Sequence, residues 1–206
     1  MDSSITEIPY MAFFECRSLE SVIIPNGVTS ISKWAFSNCT SLGSVAIPSS
    51  VTSIDDTAFS GCAAVTTLHL NTSLVSTTSG FIATYFGSSK VVLEEARLGG
   101  GVTTIGQEAF RYCTSLVTIS IPDSVTSIGA GAFAFCKNLA TVNIPDSVTS
   151  IGKEAFRHCS SLATVNIPNS VTSIGVGAFA FCTDLASVGI PDSVTEMGNN
   201  AFYQCT

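Results

Sequence analysis

The stretch Ser147-Val148-Thr149-Ser150-Ile151-Gly152-Lys153-Glu154-Ala155-Phe156-Arg157-His158-Cys159-Ser160-Ser161-Leu162-Ala163-Thr164-Val165-Asn166-Ile167-Pro168-Asn169 decides the fold, because the chain spells it repeatedly. Its Ala-Phe pair returns at Ala12, Ala35, Ala58, Ala109, Ala132, Ala155, Ala178 and Ala201, in steps of 23 residues apart from one step of 51. That step is 23 plus 28, so a degenerate copy with five extra residues lies between Ala58 and Ala109. A fixed period of roughly 20 to 50 residues marks stacked units, none of which can bury its apolar side alone.

Two periodicities alternate inside the unit. Leu162, Val165 and Ile167 end in strict alternation, which predicts a short strand with one buried face that Pro168 stops. Ala155, Phe156, Cys159 and Leu162 are spaced by one, three and three, which predicts a helical turn laying one side inward. Val148 and Ile151 supply a second apolar pair in an extended segment. Stacking such units pairs equivalent strands into a parallel sheet.

The pattern Leu-x-x-Val-x-Ile-Pro-x-x-Val-x-x-Ile-Gly-x-x-Ala-Phe-x-x-Cys resembles the BspA-like subclass of leucine-rich repeats over all eight well-formed units. The resemblance implies an α/β leucine-rich-repeat solenoid with a parallel sheet on one face and short helical turns opposite. Residues 1–206 then form a single solenoid of about nine repeats, the degenerate one at 73–100. The commoner consensus places an inward Asn or Cys after the strand. Here Ser124, Ser147, Ser170 and Ser193 stand near that place, so the asparagine ladder is not carried over. Relatives of this type are often surface or adhesive proteins, which the resemblance implies and the residues do not show.

Composition narrows the partner. Charged residues make up only 11% of the chain, and the net charge is −7, which opposes polyanions and sets nucleic acid aside. The N-terminal Met1 to Pro9 lacks the basic and apolar regions of a signal peptide. No apolar run approaches the ~18 residues of a membrane helix, so the chain is expected not to span a membrane. The compartment is left open, with a cell-surface location conceivable if the N-terminus is incomplete.

All eight cysteines, Cys16, Cys39, Cys62, Cys113, Cys136, Cys159, Cys182 and Cys205, share one repeat position. Equivalent side chains one strand spacing apart, ~4.8 Å, are too far for the ~3.8 Å Cβ separation of a disulfide, so eight free, buried thiols are expected. No pair has zinc-like spacing, and no metal or cofactor is expected. The acidic column Asp123, Asp146 and Asp192 beside the prolines is read as turn chemistry because Asn169 interrupts it. Gly106, Gly129, Gly152, Gly175 and Gly198 suggest a tight corner, but Ser32 and Asp55 fill the same slot.

Three surfaces are candidates for binding. The outward strand positions, chiefly Thr67, His69, Thr118, Ser120, Thr141, Asn143, Thr164 and Asn166, form small neutral columns suited to broad contact with a protein or a glycan. A longer period of 46 residues alternates Glu108-Arg111-Tyr112 and Glu154-Arg157-His158 with Gly131-Ala134-Phe135 and Gly177-Ala180-Phe181. It yields an expected aromatic column, Tyr112, Phe135, His158, Phe181 and Tyr203, just before the cysteines. The degenerate unit carries Phe81, Tyr85 and Phe86, is expected to regain a strand at Val91 to Leu93, and is a candidate functional loop.

Catalysis needs convergent groups, whereas stacked identical positions give parallel ones. His69 and His158, the only two histidines, fall at different repeat positions, and no phosphate loop, dinucleotide fingerprint or zinc motif occurs. The expected function is a non-enzymatic protein-interaction scaffold or binding module. The alternative is a cell-surface adhesin for matrix protein or glycan, and a distant third is ice binding by the Thr and Ser columns. Phe202 lies near an uncapped end, so further repeats or another subunit are expected to cover it.

Overall fold

The computed structural model describes residues 5–87 and 92–206. The chain winds into a parallel-sheet solenoid of about eight turns. Eight strands line one side: β2 (Ser21–Ile23), β4 (Ser44–Ile47), β6 (Thr67–Leu70), β7 (Glu95–Leu98), β9 (Thr118–Ser120), β11 (Thr141–Asn143), β13 (Thr164–Asn166) and β15 (Ser187–Gly189). They pair in the parallel orders β2-β4-β6-β7-β9 and β11-β13-β15, and β9 and β11 lie side by side without a ladder between them. Register follows the sequence period, as in Val142 opposite Val165 opposite Val188.

A second side is built from two-residue strands. β1 (Glu7–Ile8), β3 (Ser30–Ile31) and β5 (Ser53–Ile54) pair in one group. β8 (Thr104–Ile105), β10 (Ser127–Ile128), β12 (Ser150–Ile151), β14 (Ser173–Ile174) and β16 (Glu196–Met197) pair in another. Between the groups, helix α1 (Leu74–Thr77) takes the place of the missing strand. Gly106 N–H donates to its Val75 carbonyl, and Ser76 Oγ donates to the Thr104 carbonyl at 2.6 Å.

The third side holds the short turns expected opposite the sheet, but in the regular repeats they do not join into a helix. Local i to i−3 bonds from Ala155 to Gly152, Arg157 to Glu154 and Cys159 to Phe156 close single turns. The intervening amides of Glu154, Phe156 and His158 donate to Val176, Ala178 and Ala180 of the next repeat. The left-handed φ values of Glu154 (55°) and His158 (58°) cause this split, by rotating alternate N–H groups along the axis. Joints between regular repeats are thus hydrogen-bonded on the turn side as well as through the short strands, and, except between β9 and β11, through the strand face too.

The core repeats with the sequence. Phe36, Phe59, Phe110, Phe133, Phe156 and Phe179 are fully buried, and neighbours such as Phe156 and Phe179 stack with ring centroids 5.1 Å apart. Cysteines close the turn beside them. Cys159 Sγ donates to the Phe133 carbonyl at 3.2 Å, and Cys136 and Cys182 repeat the contact one turn away on either side. No pair of the eight is bridged. At the strand exit, Ser124, Ser147, Ser170 and Ser193 donate through Oγ to the carbonyls of Val102, Val125, Val148 and Val171, at 2.6–2.8 Å. A serine ladder therefore holds the place where commoner repeats use asparagine.

The corner glycines are explained by closeness and not by conformation. A Cβ on Gly152 would sit 2.7 Å from Ala130 N, and one on Gly175 would sit 2.4 Å from Lys153 N, yet neither has positive φ.

Candidate functional site

Alternation in the strands points every second side chain outward. Thr118, Ser120, Thr141, Asn143, Thr164 and Asn166 are exposed, and Thr67 and His69 are half-buried. Register joins them into two columns along the axis. One runs Ser21, Ser44, Thr67, Glu95, Thr118; the other runs Ile23, Ala46, His69, Arg97, Ser120, and Asn143 and Asn166 lie opposite each other further on.

Glu95 and Arg97 are strand-face residues that sequence reasoning missed. The strand expected at Val91 to Leu93 is instead Glu95–Leu98; Val91 lies outside the described residues, and Val92 and Leu93 precede the strand. Burial dictates the shift, because Ala96 and Leu98 occupy the inward places opposite Leu68 and Leu70. The alternation Glu95-Ala96-Arg97-Leu98 was the available signal. Arg97 Nε donates to Glu95 Oε1 at 2.6 Å. Ile23, Ala46, His69 and Arg97 line a shallow groove of about 330 Å³ on this face, with Ile23 84% exposed.

The aromatic column is an ordered stack over four members. Ring centroids lie 4.7 Å apart for Tyr112 and Phe135, 4.7 Å for Phe135 and His158, and 4.4 Å for His158 and Phe181. All four residues have left-handed φ, between 58° and 66°, a conformation costly for bulky side chains. Tyr203 does not continue the column. It lies two places before Cys205 instead of one, Gln204 takes the left-handed position, and the Tyr203 ring meets Phe181 edge-on at 5.5 Å.

The 46-residue alternation has a steric and electrostatic cause. Arg111 pairs with Glu108 at 2.5 Å, and Arg157 with Glu154 at 3.5 Å. Each arginine also reaches over an aromatic ring of the following repeat, Arg111 over Phe135 at 5.7 Å and Arg157 over Phe181 at 4.9 Å. The next repeat must be small beneath them, and a Cβ on Gly131 would already lie 3.3 Å from Glu108 Cγ. Burial and the charges of Arg157 and Lys137 hold the His158 pKa below its ordinary value, against the opposing pull of Glu154.

The degenerate unit does not offer the aromatic loop expected of it. Phe81, Tyr85 and Phe86 are buried on one side of helix α2 (Phe81–Phe86). The Phe86 ring stacks on Phe59 at 4.9 Å and so extends the core phenylalanine row, which draws these rings inward and away from any partner. Their surface role is replaced by a structural one.

Among the described residues, no three of His, Cys, Asp and Glu gather at metal-binding distance, and no helix is long and apolar enough to cross a membrane. His69 stands on the strand face and His158 on the turn face, so the two do not share a site.

The repeat geometry agrees with comparison to known proteins. The sequence model of the BspA-type leucine-rich repeat region matches residues 1–95 and 82–206 with six copies. The chain belongs to this family. A leucine-rich repeat protein from Bacteroides ovatus is 33% identical with a TM-score of 0.69, over 98% of this chain and 51% of that one. A leucine-rich repeat protein of T. pallidum is 32% identical with a TM-score of 0.54, over 87% of this chain and 73% of that one. One from Eubacterium ventriosum shares the fold at 22% identity and a TM-score of 0.67, over 88% of this chain and 46% of that one. The BspA-type chain thus spans about half the length of two of these relatives. No curated protein matches it. The repeat fold of this family suggests a protein-binding or scaffold module.

Proposed function

We propose that residues 1–206 form one non-enzymatic solenoid whose working surface is the strand face, presented to a protein partner. The observation that carries this reading is the register of the outward columns. Thr141 and Thr164, then Asn143 and Asn166, stand opposite one another on a rigid parallel sheet, so hydrogen-bonding groups repeat at strand spacing over a broad, nearly flat area. Such a surface suits an extended partner more than a small molecule. The net charge of −7 disfavours nucleic acid. Parallel rows also disperse functional groups that catalysis would need to converge.

The aromatic column fits a structural role better. Its rings spend their faces on one another and on the arginines, leaving edges outward.

The test is capture of a partner by the wild-type chain from extracts of the source organism, followed by affinity measurement with two variants. Thr141→Arg combined with Thr164→Arg should weaken binding at least tenfold with unchanged circular dichroism, while Phe135→Asn on the aromatic column should leave it intact. Retention by the strand-face variant together with loss by Phe135→Asn would reverse the assignment.

A further inference from the structure

The strand face is chemically uniform except at one place. Among its eight strands, the outward residues are Ser, Thr, Asn, Gly and Ala apart from Ile23, His69, Glu95 and Arg97, and all four of these lie on β2, β6 and β7. Three of them share one column with Ala46, in the order Ile23, Ala46, His69, Arg97, and line the groove of about 330 Å³. That volume is at the low end of the roughly 300 to 1,000 Å³ typical of ligand sites. An isoleucine 84% exposed at one end gives the groove an apolar wall, and Ala46 beside it leaves room for an incoming side chain.

The other end carries a guanidinium paired with a single carboxylate. Glu95 and Arg97 are the only charged residues in the eight strands. The ion pair with Glu95 engages Arg97 through Nε, and among the described residues the terminal guanidinium nitrogens make no hydrogen bond. A guanidinium held in this way still presents donors in a fork that matches a carboxylate. His69 stands next to Arg97 in register and adds a further hydrogen-bonding group facing the groove.

From Ile23 to Arg97 is three strand spacings, ~14 Å at ~4.8 Å each. An extended peptide rises ~3.3 Å per residue, so about four residues separate a side chain at the apolar end from one at the guanidinium end. In an extended chain, residues i and i+4 point to the same side, as the groove requires, whereas i and i+3 do not. We propose that this groove is a docking site for an extended peptide segment bearing a large aliphatic residue at position i and a carboxylate at i+4, lying across β2, β4, β6 and β7. The inference rests on the strand face being the working surface and narrows it to one end of that face. It assigns the aliphatic side chain to Ile23 and Ala46 and the carboxylate to Arg97.

The probe is a fluorescein-labelled acetylated, amidated pentapeptide, Leu-Ser-Thr-Ser-Asp, titrated with the full chain and read by anisotropy. Saturable binding is expected. It should weaken at least fivefold when the peptide's Asp is replaced by Asn, when Leu is moved one place along, or when the protein carries Arg97→Gln or Ile23→Ser. Both protein positions are exposed, so unchanged circular dichroism and thermal midpoint establish that the variants fold. Absence of saturable binding at millimolar protein, or binding indifferent to both Arg97→Gln and Ile23→Ser, overturns the proposal. The two readings fail separately. A captured partner lost on Thr141→Arg with Thr164→Arg, alongside a pentapeptide that does not bind, sinks the groove alone. A pentapeptide that binds, alongside a partner indifferent to every strand-face change, sinks the broader reading alone.

Discussion

Ser147 Oγ donates a hydrogen bond to the main-chain carbonyl of Val125, one repeat earlier, at 2.6 Å. That carbonyl sits at the strand exit beside the buried Val125 and Val148 side chains, where losing its partner leaves a poorly solvated acceptor. Ser147→Ala should therefore cost about 1 to 2 kcal/mol in urea denaturation. Ser50 occupies the equivalent place near the N-terminal end, but its buried hydroxyl makes no hydrogen bond. Ser50→Ala should leave stability unchanged or raise it slightly, and an equal loss at both positions would contradict the ladder.

Phe156 lies fully buried between Phe133 and Phe179, with centroids 5.2 and 5.1 Å away. Truncation to Ala opens a cavity that the rigid turns on either side cannot fill, at a cost of about 3 to 5 kcal/mol. Phe202, half-buried and stacked on Phe179 alone, loses less on truncation. Thermal or urea melts of Phe156→Ala and Phe202→Ala should rank in that order, and the reverse order would discredit the stack as the stabilising element.

Burial raises the thiol pKa to about 12 at Cys62, Cys113 and Cys182, and well above its ordinary value at Cys136 and Cys159. A raised folded-state pKa means that the unfolded chain loses its protons first. The stability is complete below the ordinary value near 9.0 and drains away as pH climbs through about 12. Each thiol with a raised pKa adds to that loss, at most ~1.4 kcal/mol per pH unit for a single group. Cooperative unfolding between pH 9 and 12 should follow by circular dichroism. In denaturant without reductant, eight thiols should titrate; in the native protein at neutral pH, the exposed Cys16 should react ahead of the buried ones.

The lowered pKa of His158 predicts the opposite dependence at acid pH. As pH falls through the ordinary value of 6.5, the unfolded chain takes up the proton first, so the stability His158 supplies is present above 6.5 and is lost below it. Its NMR titration midpoint should lie under 6.5, and Phe181→Ala, by opening one face of the ring to water, should move it upward. A midpoint indifferent to Phe181 would separate the ring from its stack.

What was legible in the sequence is what the period enforces. Val142, Val165 and Val188 fall in register because identical spacing leaves them no other partner, and the cysteine row follows from the same arithmetic. The third side was harder. Apolar positions spaced by one, three and three satisfy a helical turn and a pair of tight turns alike, and only the left-handed φ at Glu154 and His158 separates them. Gly61, Gly131 and Gly177 hold equivalent places with positive φ, but glutamate, aromatic and histidine residues fill most of the others and dilute that signal. The degenerate unit misled for a related reason. Its apolar residues are abundant enough to fit several registers, and the neighbouring core, through Phe59 and Phe86, selected one. The groove escaped notice because Arg97 enters its column only once the strand is placed at Glu95–Leu98.

The alternation of the Glu–Arg pairs with glycine and alanine constrains how this array grows. Gly131 lies between Glu108 and Glu154, and Gly177 follows Glu154, so each bulky pair is flanked by a flat repeat. Deleting the lone repeat that carries Gly131 and Ala134 would set Glu108 against Glu154 and Arg111 against Arg157 at strand spacing. Excising or duplicating repeats in twos keeps every neighbour compatible, so even-numbered steps are the natural increments of length.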